Sequence, residues 1–474
     1  MLAAATQANG LAMEKKYRDM AAELVVLSMI LAAGLTLYLA DLDKSTVFLV
    51  YLGSVVLVAV LILSVFYNLI FAARLFLLFL VGAYPLGVKL LGDNLYFSVF
   101  EFTTQTLSVT TTMYALSLVA VVGAYLGWKA GTVSDKSSGH AGRILPALDE
   151  YYFCVFCLSA VFATLTGFLI INSSTGTILD SAYGTGTEGS PLIGSASAMG
   201  GISLSIMFYC ALIARKKSYW IVIGLVACYL LLWCQILRGL RQDVVGAAFS
   251  CLVLFLMFEL RNVSIKLKYF FYVVPLFLLL EVWGLVRSGL SLFLAGRLNV
   301  TELLDMGLGN AAILPGVVYS GTLGPIATTF ANVVALFERH SVSLLYGQGY
   351  LDYILRTPPE FLYPDRPKDF ATMFVDYGLS SGGGFFELAE AYLNFGLIGV
   401  FIAPFAISFI ISGVYSRAIQ RQNIFYVFAL SSILCVWLRG SWYQTFAFYK
   451  SFVSGLVLYL IIHSLALLLT RRQR

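Results

Sequence analysis

The residues best suited to chemistry in this sequence are arginines at the ends of long apolar segments. The chain contains only 12% Asp, Glu, Lys and Arg, yet the stretch RGLRQDVVG (238–246) places Arg238, Arg241 and Asp243 between two apolar runs. Two arginines three positions apart share one face of a helix, and Gly239 between them would also permit an unwound turn. A guanidinium binds phosphate through two parallel hydrogen bonds and stays charged, so this pattern favours an anionic ligand such as a lipid pyrophosphate.

Three more arginines stand in comparable surroundings. Arg287 and Arg439 lie at the ends of other apolar segments, and Arg366 lies in the proline-rich stretch PPEFLYPDRP (358–367). The alternative for each arginine is contact with lipid phosphates at the membrane interface, where long basic side chains commonly extend. We expect five arginines to converge on the anionic group of one ligand: Arg238, Arg241, Arg287, Arg366 and Arg439.

Acidic residues and one histidine are the candidates for a general base, the group that removes the proton from an attacking hydroxyl. The catalytic candidates are His340, Glu387 and Asp243, and Glu390 stays open beside them. Structural roles are the alternative in each case. An Asp at position 243 would cap the following helix, His340 falls on an apolar helical stripe, and acids at the start of a helix are favoured by its dipole.

No metal site and no cofactor are expected. The three histidines are scattered along the chain, whereas a metal site needs several ligands close together. Asp41-Leu42-Asp43 forms an Asp-x-Asp pattern, and metal-dependent membrane glycosyltransferases often carry acids in their first outer loop. Those loops are long, while this connection is very short, so we interpret it as a turn between two helices. The seven cysteines all lie in apolar segments, which indicates packing rather than disulfides.

The elements that position these residues are predicted to be membrane helices. Hydrophobic residues make up 60% of the chain, compared with about half in soluble proteins. The sequence therefore predicts an all-α polytopic membrane protein, with residues 1–474 as one integral membrane domain. A transmembrane helix needs about 20 mostly apolar residues, and the segments that qualify, about 12 in number, are 22–40, 46–66, 75–92, 105–128, 151–171, 196–214, 219–237, 244–260, 269–287, 388–412, 424–438 and 448–469.

The basic residues predict the orientation of these helices. Most of the 30 Lys and Arg fall on one side when the N-terminus is placed inside, so the positive-inside rule predicts that both termini are cytoplasmic. Arg74 then belongs to the inner connection between the second and third segments. Residues 288–387 form one large periplasmic loop between the ninth and tenth segments, a length that usually serves a function. Within it, the apolar spacing of 326–346 predicts an amphipathic helix on the membrane surface or over the mouth of the bundle.

Three stretches together resemble a known family. RGLRQDVVGAAFSCLVLFL (238–256) resembles a Gly-x-Arg turn that leads into a span, and FLYPDRP (361–367) resembles a Trp/Tyr-Pro-x-Arg-Pro strap. ELAEAYLNFGLIGVFIAPFAISFI (387–410) resembles the Gly-rich span that follows such a strap. With the large outer loop and the arginines at span ends, these motifs resemble the Wzy-type O-antigen and oligosaccharide repeat-unit polymerases.

The resemblance implies a metal-independent membrane glycosyltransferase of lipopolysaccharide or related polysaccharide biosynthesis. Such enzymes move a growing glycan from undecaprenyl pyrophosphate onto a lipid-linked repeat unit at the outer face of the bacterial inner membrane. Arg238, Arg241 and Arg366 match the motifs and would bind the donor pyrophosphate. The implied partners are the undecaprenyl-pyrophosphate-linked oligosaccharide, the lipid bilayer and a chain-length regulator protein, with no nucleic acid.

Two other functions stay open. An O-antigen ligase, which delivers the finished chain to a lipid A core, has a similar topology and similar outer arginines. A flippase or transporter of lipid-linked sugars belongs to a different class. It predicts charged residues deep in several spans and usually a duplicated architecture, whereas few charges stand in the middle of the predicted spans.

Overall fold

The computed structural model describes residues 2–66, 68–91, 107–132, 147–172, 192–235, 241–259, 292–293, 296–308, 324–358, 363–367, 385–421, 423–442 and 445–471. The regular elements within these ranges are all helical. They are α1 (Leu2–Leu39), α2 (Lys44–Ser64), α3 (Leu69–Leu91), α4 (Leu107–Gly131), α5 (Ala147–Asn172), α6 (Leu192–Ala214), α7 (Lys217–Ala227) with its π-helical continuation (Cys228–Gln235), α8 (Arg241–Phe258), α9 (Val300–Leu308), α10 (Gly324–Glu338), α11 (Gln348–Leu355), α12 (Glu387–Arg421), α13 (Ile424–Cys435), α14 (Trp437–Trp442) and α15 (Phe446–Arg471).

The helices confirm an all-α membrane protein. Among the described residues, eight helices are long and apolar enough to cross a membrane, namely α1 to α6, α12 and α15. Segments in α7, α8, α10 and α13 are apolar but shorter. The ninth predicted segment, 269–287, lies outside the described residues, and the other predicted segments fall on helices. The number of spans and the assignment of 288–387 to one outer loop stay predictions.

The turn between α1 and α2 defines one end of the bundle, which we call the turn end. Asp43 is the N-cap of α2, and its carboxylate accepts hydrogen bonds from the backbone N–H groups of Ser45 (3.2 Å) and Thr46 (3.4 Å). The hydroxyl groups of Ser45 and Thr46 also donate to it, and these bonds lower the pKa of Asp43 to about 2. The Asp-x-Asp stretch is therefore a turn between two helices, as its short length predicted, and the structure adds that Asp43 caps the second helix.

Helix α4 lies at the centre of the bundle, where α12 packs closely against it. A Cβ atom at Gly123, Gly127 or Gly131 would overlap a backbone oxygen of α12. Small residues four positions apart allow two helix backbones to approach in this way. Because the facing residues ascend in the same order, α4 and α12 run parallel here; they are Phe401, Phe405 and Phe409.

Helix α12 is a helical hairpin rather than one straight rod. Phe395 (φ −138°, ψ 16°) and Gly396 (φ 61°, ψ −147°) leave helical geometry, and the positive φ of Gly396 suits glycine. Residues eight apart in a continuous helix are separated by about 12 Å along its axis. A Cβ on Gly399 would nevertheless meet the carbonyl oxygen of Ala391. Residues 387–394 therefore fold back against the first turns of 397–421.

The hairpin reaches from the turn end into the middle of the bundle. The Tyr392 hydroxyl lies 3.1 Å from the Tyr38 hydroxyl near the end of α1, so the bend lies at the turn end. At the opposite end of the hairpin from the bend, Glu387, the first residue of α12, contacts Arg74 in the second turn of α3. Because α2 begins at the turn end and α3 follows it after a short connection, Arg74 lies in the half of the bundle away from that end. The hairpin therefore carries Glu387 deep into the protein.

Helix α10 corrects the expectation for residues 326–346. The helix ends at Glu338, and Ile326, Phe330 and Val333 are buried. The opposite side is buried as well, including Thr328 and Ala335, because α10 packs against α3, α4 and α12. The alternative in which this helix lies on the membrane surface was wrong, and a position over the mouth of the bundle stays a prediction. A stripe of large apolar residues fits a membrane surface and a protein interior equally well, and the small Thr and Ala side chains behind it allow complete burial.

Replacing Gly127 by Ala is expected to destabilise the protein, because the added methyl group overlaps the backbone of Phe405. Overpacking of this kind typically costs about 1–3 kcal/mol. Gly53 on α2 is the matched control, since no atom lies within 4 Å of a Cβ built there. Gly53→Ala should keep or raise the melting temperature, because Ala favours the helix. Thermal unfolding in detergent measures both variants, and equal melting temperatures would contradict the close packing of α4 and α12.

Candidate functional site

Charged side chains meet around the short helix α14, which follows a break in the chain. Helix α13 ends at Cys435, and Val436 (φ −112°, ψ 21°) leaves helical geometry before α14 begins. At the break, the carbonyl oxygen of Cys435 occupies the space that a Cβ on Gly246 of α8 would need. Interrupted helices are tolerated at membrane depth only where protein or a lined cavity surrounds them. The break therefore marks a protein-lined place for polar groups.

Arg439 on α14 pairs with Asp243 on α8. Arg439 Nη1 lies 3.8 Å from Asp243 Oδ1, and Ser197 Oγ on α6 donates a hydrogen bond of 2.6 Å to Asp243 Oδ2. The Asp243 side chain is 9% exposed, whereas the Arg439 side chain is 44% exposed. A buried carboxylate held by a neighbouring helix thus lies beside a guanidinium that keeps an accessible surface. Such a guanidinium can bind a phosphate or carboxylate through charge-assisted hydrogen bonds.

The structure tests part of the predicted convergence of arginines. Helix α8 begins at Arg241, two positions before Asp243, so the start of α8 lies beside the Arg439 ion pair. Arg238 and Arg287 lie outside the described residues. Arg366 lies in the described stretch 363–367, where its side chain is partly buried. Arg439 therefore meets the start of α8, and the convergence of the other arginines stays a prediction.

The sequence suggested structural roles for Asp243, as a helix cap, and for His340, as a packed residue on an apolar stripe, and the structure shows neither role. Asp243 lies inside the first turn of α8 rather than at its N-cap, and its carboxylate bonds to Ser197. His340 does not continue the apolar stripe of α10, because the helix ends at Glu338. His340 has a left-handed backbone (φ 53°) and an exposed side chain. The capping and packing interpretations were wrong, and the proposed catalytic role of each residue stays a prediction.

Arg74 and Glu387 form a second ion pair, which is fully buried. Arg74 Nη1 donates to Glu387 Oε2 at 2.5 Å, Nη2 donates to Oε1, and both side chains are 0% exposed. Nη1 also donates to Ser441 Oγ on α14 at 3.0 Å. The assignment of Arg74 to an inner connection was wrong, because α3 begins at Leu69 and contains it. A bidentate carboxylate compensates the charge, and this partner is 313 positions away in sequence.

Glu390 lies one helical turn after Glu387 and is also fully buried. The Tyr353 hydroxyl donates to Oε1, while the hydroxyl and the backbone N–H of Thr445 donate to Oε2, the latter at 3.2 Å. Asn394 follows on the same segment and accepts a hydrogen bond of 3.0 Å from the Gly349 N–H. The hairpin therefore carries its polar side chains inward, where each finds specific partners.

Together these contacts fix α14 from two sides. The Arg74–Glu387 pair bonds to Ser441, and Glu390 bonds to Thr445, three residues after the helix ends. Arg439 stands two residues before Ser441 and pairs with Asp243 on the other side. Glu387 presents no oxygen to solvent, so in this structure it positions α14 through Arg74. The sequence analysis did not predict that Arg74 pairs with Glu387. The apolar residues on both sides of Arg74 were a signal that α3 begins before it.

Neither the arrangement of possible metal ligands in the described residues nor the comparison with known proteins assigns a function to this site. Among the described residues, no group of three or more His, Cys, Asp and Glu side chains is arranged to hold a metal ion. No family model, no curated protein and no solved structure matches the chain.

Removing one partner of the buried ion pair is expected to destabilise the protein strongly. Glu387→Gln leaves the Arg74 charge buried without its counter-ion, which typically costs about 3–5 kcal/mol. The matched control is Lys129→Gln, which breaks an ion pair of 3.1 Å with Glu23 whose side chains are 40% and 38% exposed. Such surface pairs contribute about 0–1 kcal/mol. Melting temperatures in detergent compare the two variants.

The double variant Arg74→Met/Glu387→Met separates loss of charge balance from loss of packing. Replacing both members of a buried pair by apolar residues is often close to neutral, so the double variant should melt above Glu387→Gln. If Glu387→Gln melted like Lys129→Gln, the ion pair would not have the structural role described above.

Proposed function

We propose that the protein is a membrane glycosyltransferase that polymerises undecaprenyl-pyrophosphate-linked oligosaccharide repeat units. The observation that carries the proposal is the Arg439–Asp243 pair: an accessible guanidinium lies 3.8 Å from a buried carboxylate at the start of α8. The motif RGLRQDVVG leads into this helix, which agrees with the family resemblance of that stretch. The turn end would face the periplasm of a bacterial inner membrane, with both termini in the cytoplasm.

The chemistry needs positive charge more than it needs a metal. Pyrophosphate is a good leaving group, and the enzyme must neutralise its charge while the glycosidic bond breaks through an oxocarbenium-like state. Arg439 would bind the pyrophosphate, with contributions from Arg241 at the start of α8 and from Arg238, which precedes it in the sequence. The N-terminus of α8 adds a partial positive charge at the same place.

The attacking sugar hydroxyl also needs a proton acceptor. Asp243 lies beside the proposed pyrophosphate site, and His340 is exposed on the connection after α10. These two residues are the proposed candidates for the general base. Glu387 is proposed to act as a positioning residue instead, because both of its oxygens accept hydrogen bonds from Arg74.

A second candidate function is a flippase or transporter of lipid-linked sugars. It is favoured by the buried charges on several helices, Arg74, Asp243, Glu387 and Glu390, which are more numerous than the predicted spans indicated. Interrupted helices such as α12 and α13–α14 also occur at the binding sites of transporters. A transporter must open its site to both sides of the membrane in turn, whereas the proposed enzyme needs access from the turn end only.

Expression in a strain that lacks its O-antigen polymerase tests the function. Such a strain carries single repeat units on its lipopolysaccharide, and a polymerase of matching specificity restores a ladder of chain lengths on a gel. A ligase would instead restore attachment of glycan in a strain that lacks its ligase. A flippase would restore surface glycan in a flippase-deficient strain, and either outcome without a ladder would overturn the proposal.

Arg439→Ala is expected to lower the rate of polymerisation by about 10²–10³, the usual effect of removing one donor to a developing negative charge. Arg439→Lys should recover little of the rate if the guanidinium binds pyrophosphate through two hydrogen bonds. Arg215→Ala is the matched control, because Arg215 also lies 3.8 Å from a carboxylate, that of Glu259, in an exposed pair. Initial rates with purified lipid-linked repeat units measure all three variants, and normal activity of Arg439→Ala would exclude this site.

A further inference from the structure

Helix α11 presents a large apolar face to the outside of the bundle. Leu351 (55% exposed), Ile354 (55%) and Leu355 (42%) are exposed, and their spacing places them on one face of the helix. Gly349 and Tyr353 are buried on the other face. A soluble surface would carry polar residues where α11 carries three large aliphatic side chains.

The orientation of α11 is fixed by polar contacts with the hairpin of α12. Gly349 N–H donates to Asn394 Oδ1 at 3.0 Å, and the Tyr353 hydroxyl donates to Glu390. The Glu390 carboxylate and the Asn394 side chain are buried, so the loss of either bond would leave a buried polar group unsatisfied. Helix α11 therefore cannot rotate its aliphatic face inward without breaking both contacts.

The apolar face continues into the surface of a transmembrane helix. The Tyr350 ring on α11 stacks on the Phe395 ring at the hairpin bend, with centroids 6.3 Å apart and planes 17° apart. Phe395 is partly exposed, and Ile398 and Ile402 follow it on the outside of α12. Since α12 is a candidate span, this surface faces lipid. Tyr346 stands exposed just before α11, and tyrosine is enriched where membranes meet water.

We propose that α11 is an interfacial helix that inserts Leu351, Ile354 and Leu355 among the acyl chains of the leaflet at the turn end. Helices of this type bury their apolar face about 5–10 Å into the boundary between headgroups and acyl chains. The occupant is lipid rather than another protein, because the face is continuous with the lipid-facing surface of α12. On the buried face of the same helix, the Tyr353 hydroxyl donates a hydrogen bond to Glu390. One helix of two turns thus contacts lipid on one face and the polar interior on the other. The inference stands independently of the proposed function.

Nitroxide spin labels on the full-length protein in lipid nanodiscs test the insertion. The labels are attached at Leu351→Cys and Ile354→Cys in a background whose seven native cysteines are replaced. Ile398→Cys on α12 is the lipid-facing reference, and Ser343→Cys, at an exposed position before α11, is the water-facing reference. Collision rates with oxygen, which concentrates in lipid, and with a water-soluble nickel chelate are measured by electron paramagnetic resonance.

Lipid insertion predicts frequent collisions with oxygen and rare collisions with nickel at 351 and 354, as at 398. Frequent nickel collisions would mean that α11 lies in water, and rare collisions with both reagents would mean that protein covers it. Either result overturns the proposal. Should the cysteine-free background fail to fold, p-benzoylphenylalanine at position 351 of the native-cysteine chain replaces the labels. Ultraviolet light should then yield adducts of lipid mass, whereas adducts with a second chain or another protein would contradict lipid contact.

Discussion

The buried ion pair between Arg74 and Glu387 is the interaction on which the centre of this protein depends. A single charge inside a membrane bundle costs several kcal/mol, so neither side chain would be stable there without the other. The pair fixes the inner tip of the α12 hairpin against α3, and Ser441 connects it to α14. Three helices from distant parts of the sequence thus meet at one guanidinium.

The two ion pairs around α14 differ in their exposure to solvent, which suits one pair to holding α14 in place and the other to binding a ligand. The Arg74–Glu387 pair is closed to solvent and satisfied on both carboxylate oxygens. The Arg439–Asp243 pair is looser, with a buried carboxylate and a partly exposed guanidinium. Because the closed pair holds α14 through Ser441, the backbone that carries Arg439 is in place before a ligand arrives, which reduces the cost of ordering it on binding.

The sequence predicts those features that depend on local composition. Apolar segments of span length identified α1 to α6, α12 and α15, and the short connection at Asp43 identified a turn between two helices. The hairpin in α12 was not predictable in the same way, because residues 387–394 fit a helix that continues directly into the following span, and acids at its start are favoured by the helix dipole. The burial of α10 was missed for a related reason, since a helical stripe does not distinguish lipid from neighbouring helices.

The candidate site was predicted in part. Asp243 was singled out as a base and Arg439 as an anion-binding residue, and the structure places them together. Their positions differ by 196 in the sequence, so no local pattern could have paired them. The role of Glu387 was not visible, because it depends on Arg74, whose partner cannot be inferred from spacing. Arg238 and Arg287 lie outside the described residues, so their part in the site stays a prediction.

The separation of Arg74 and Glu387 in the chain has a consequence for biosynthesis. The ribosome adds about 5–20 residues per second, so the 313 residues between the partners take roughly 16 to 63 s to make. During that interval α3 must reside in the membrane, or at the translocon, with an arginine that lacks its final counter-ion. The bundle therefore reaches its native charge balance only late in synthesis, when the α12 hairpin emerges and enters between helices that are already in place.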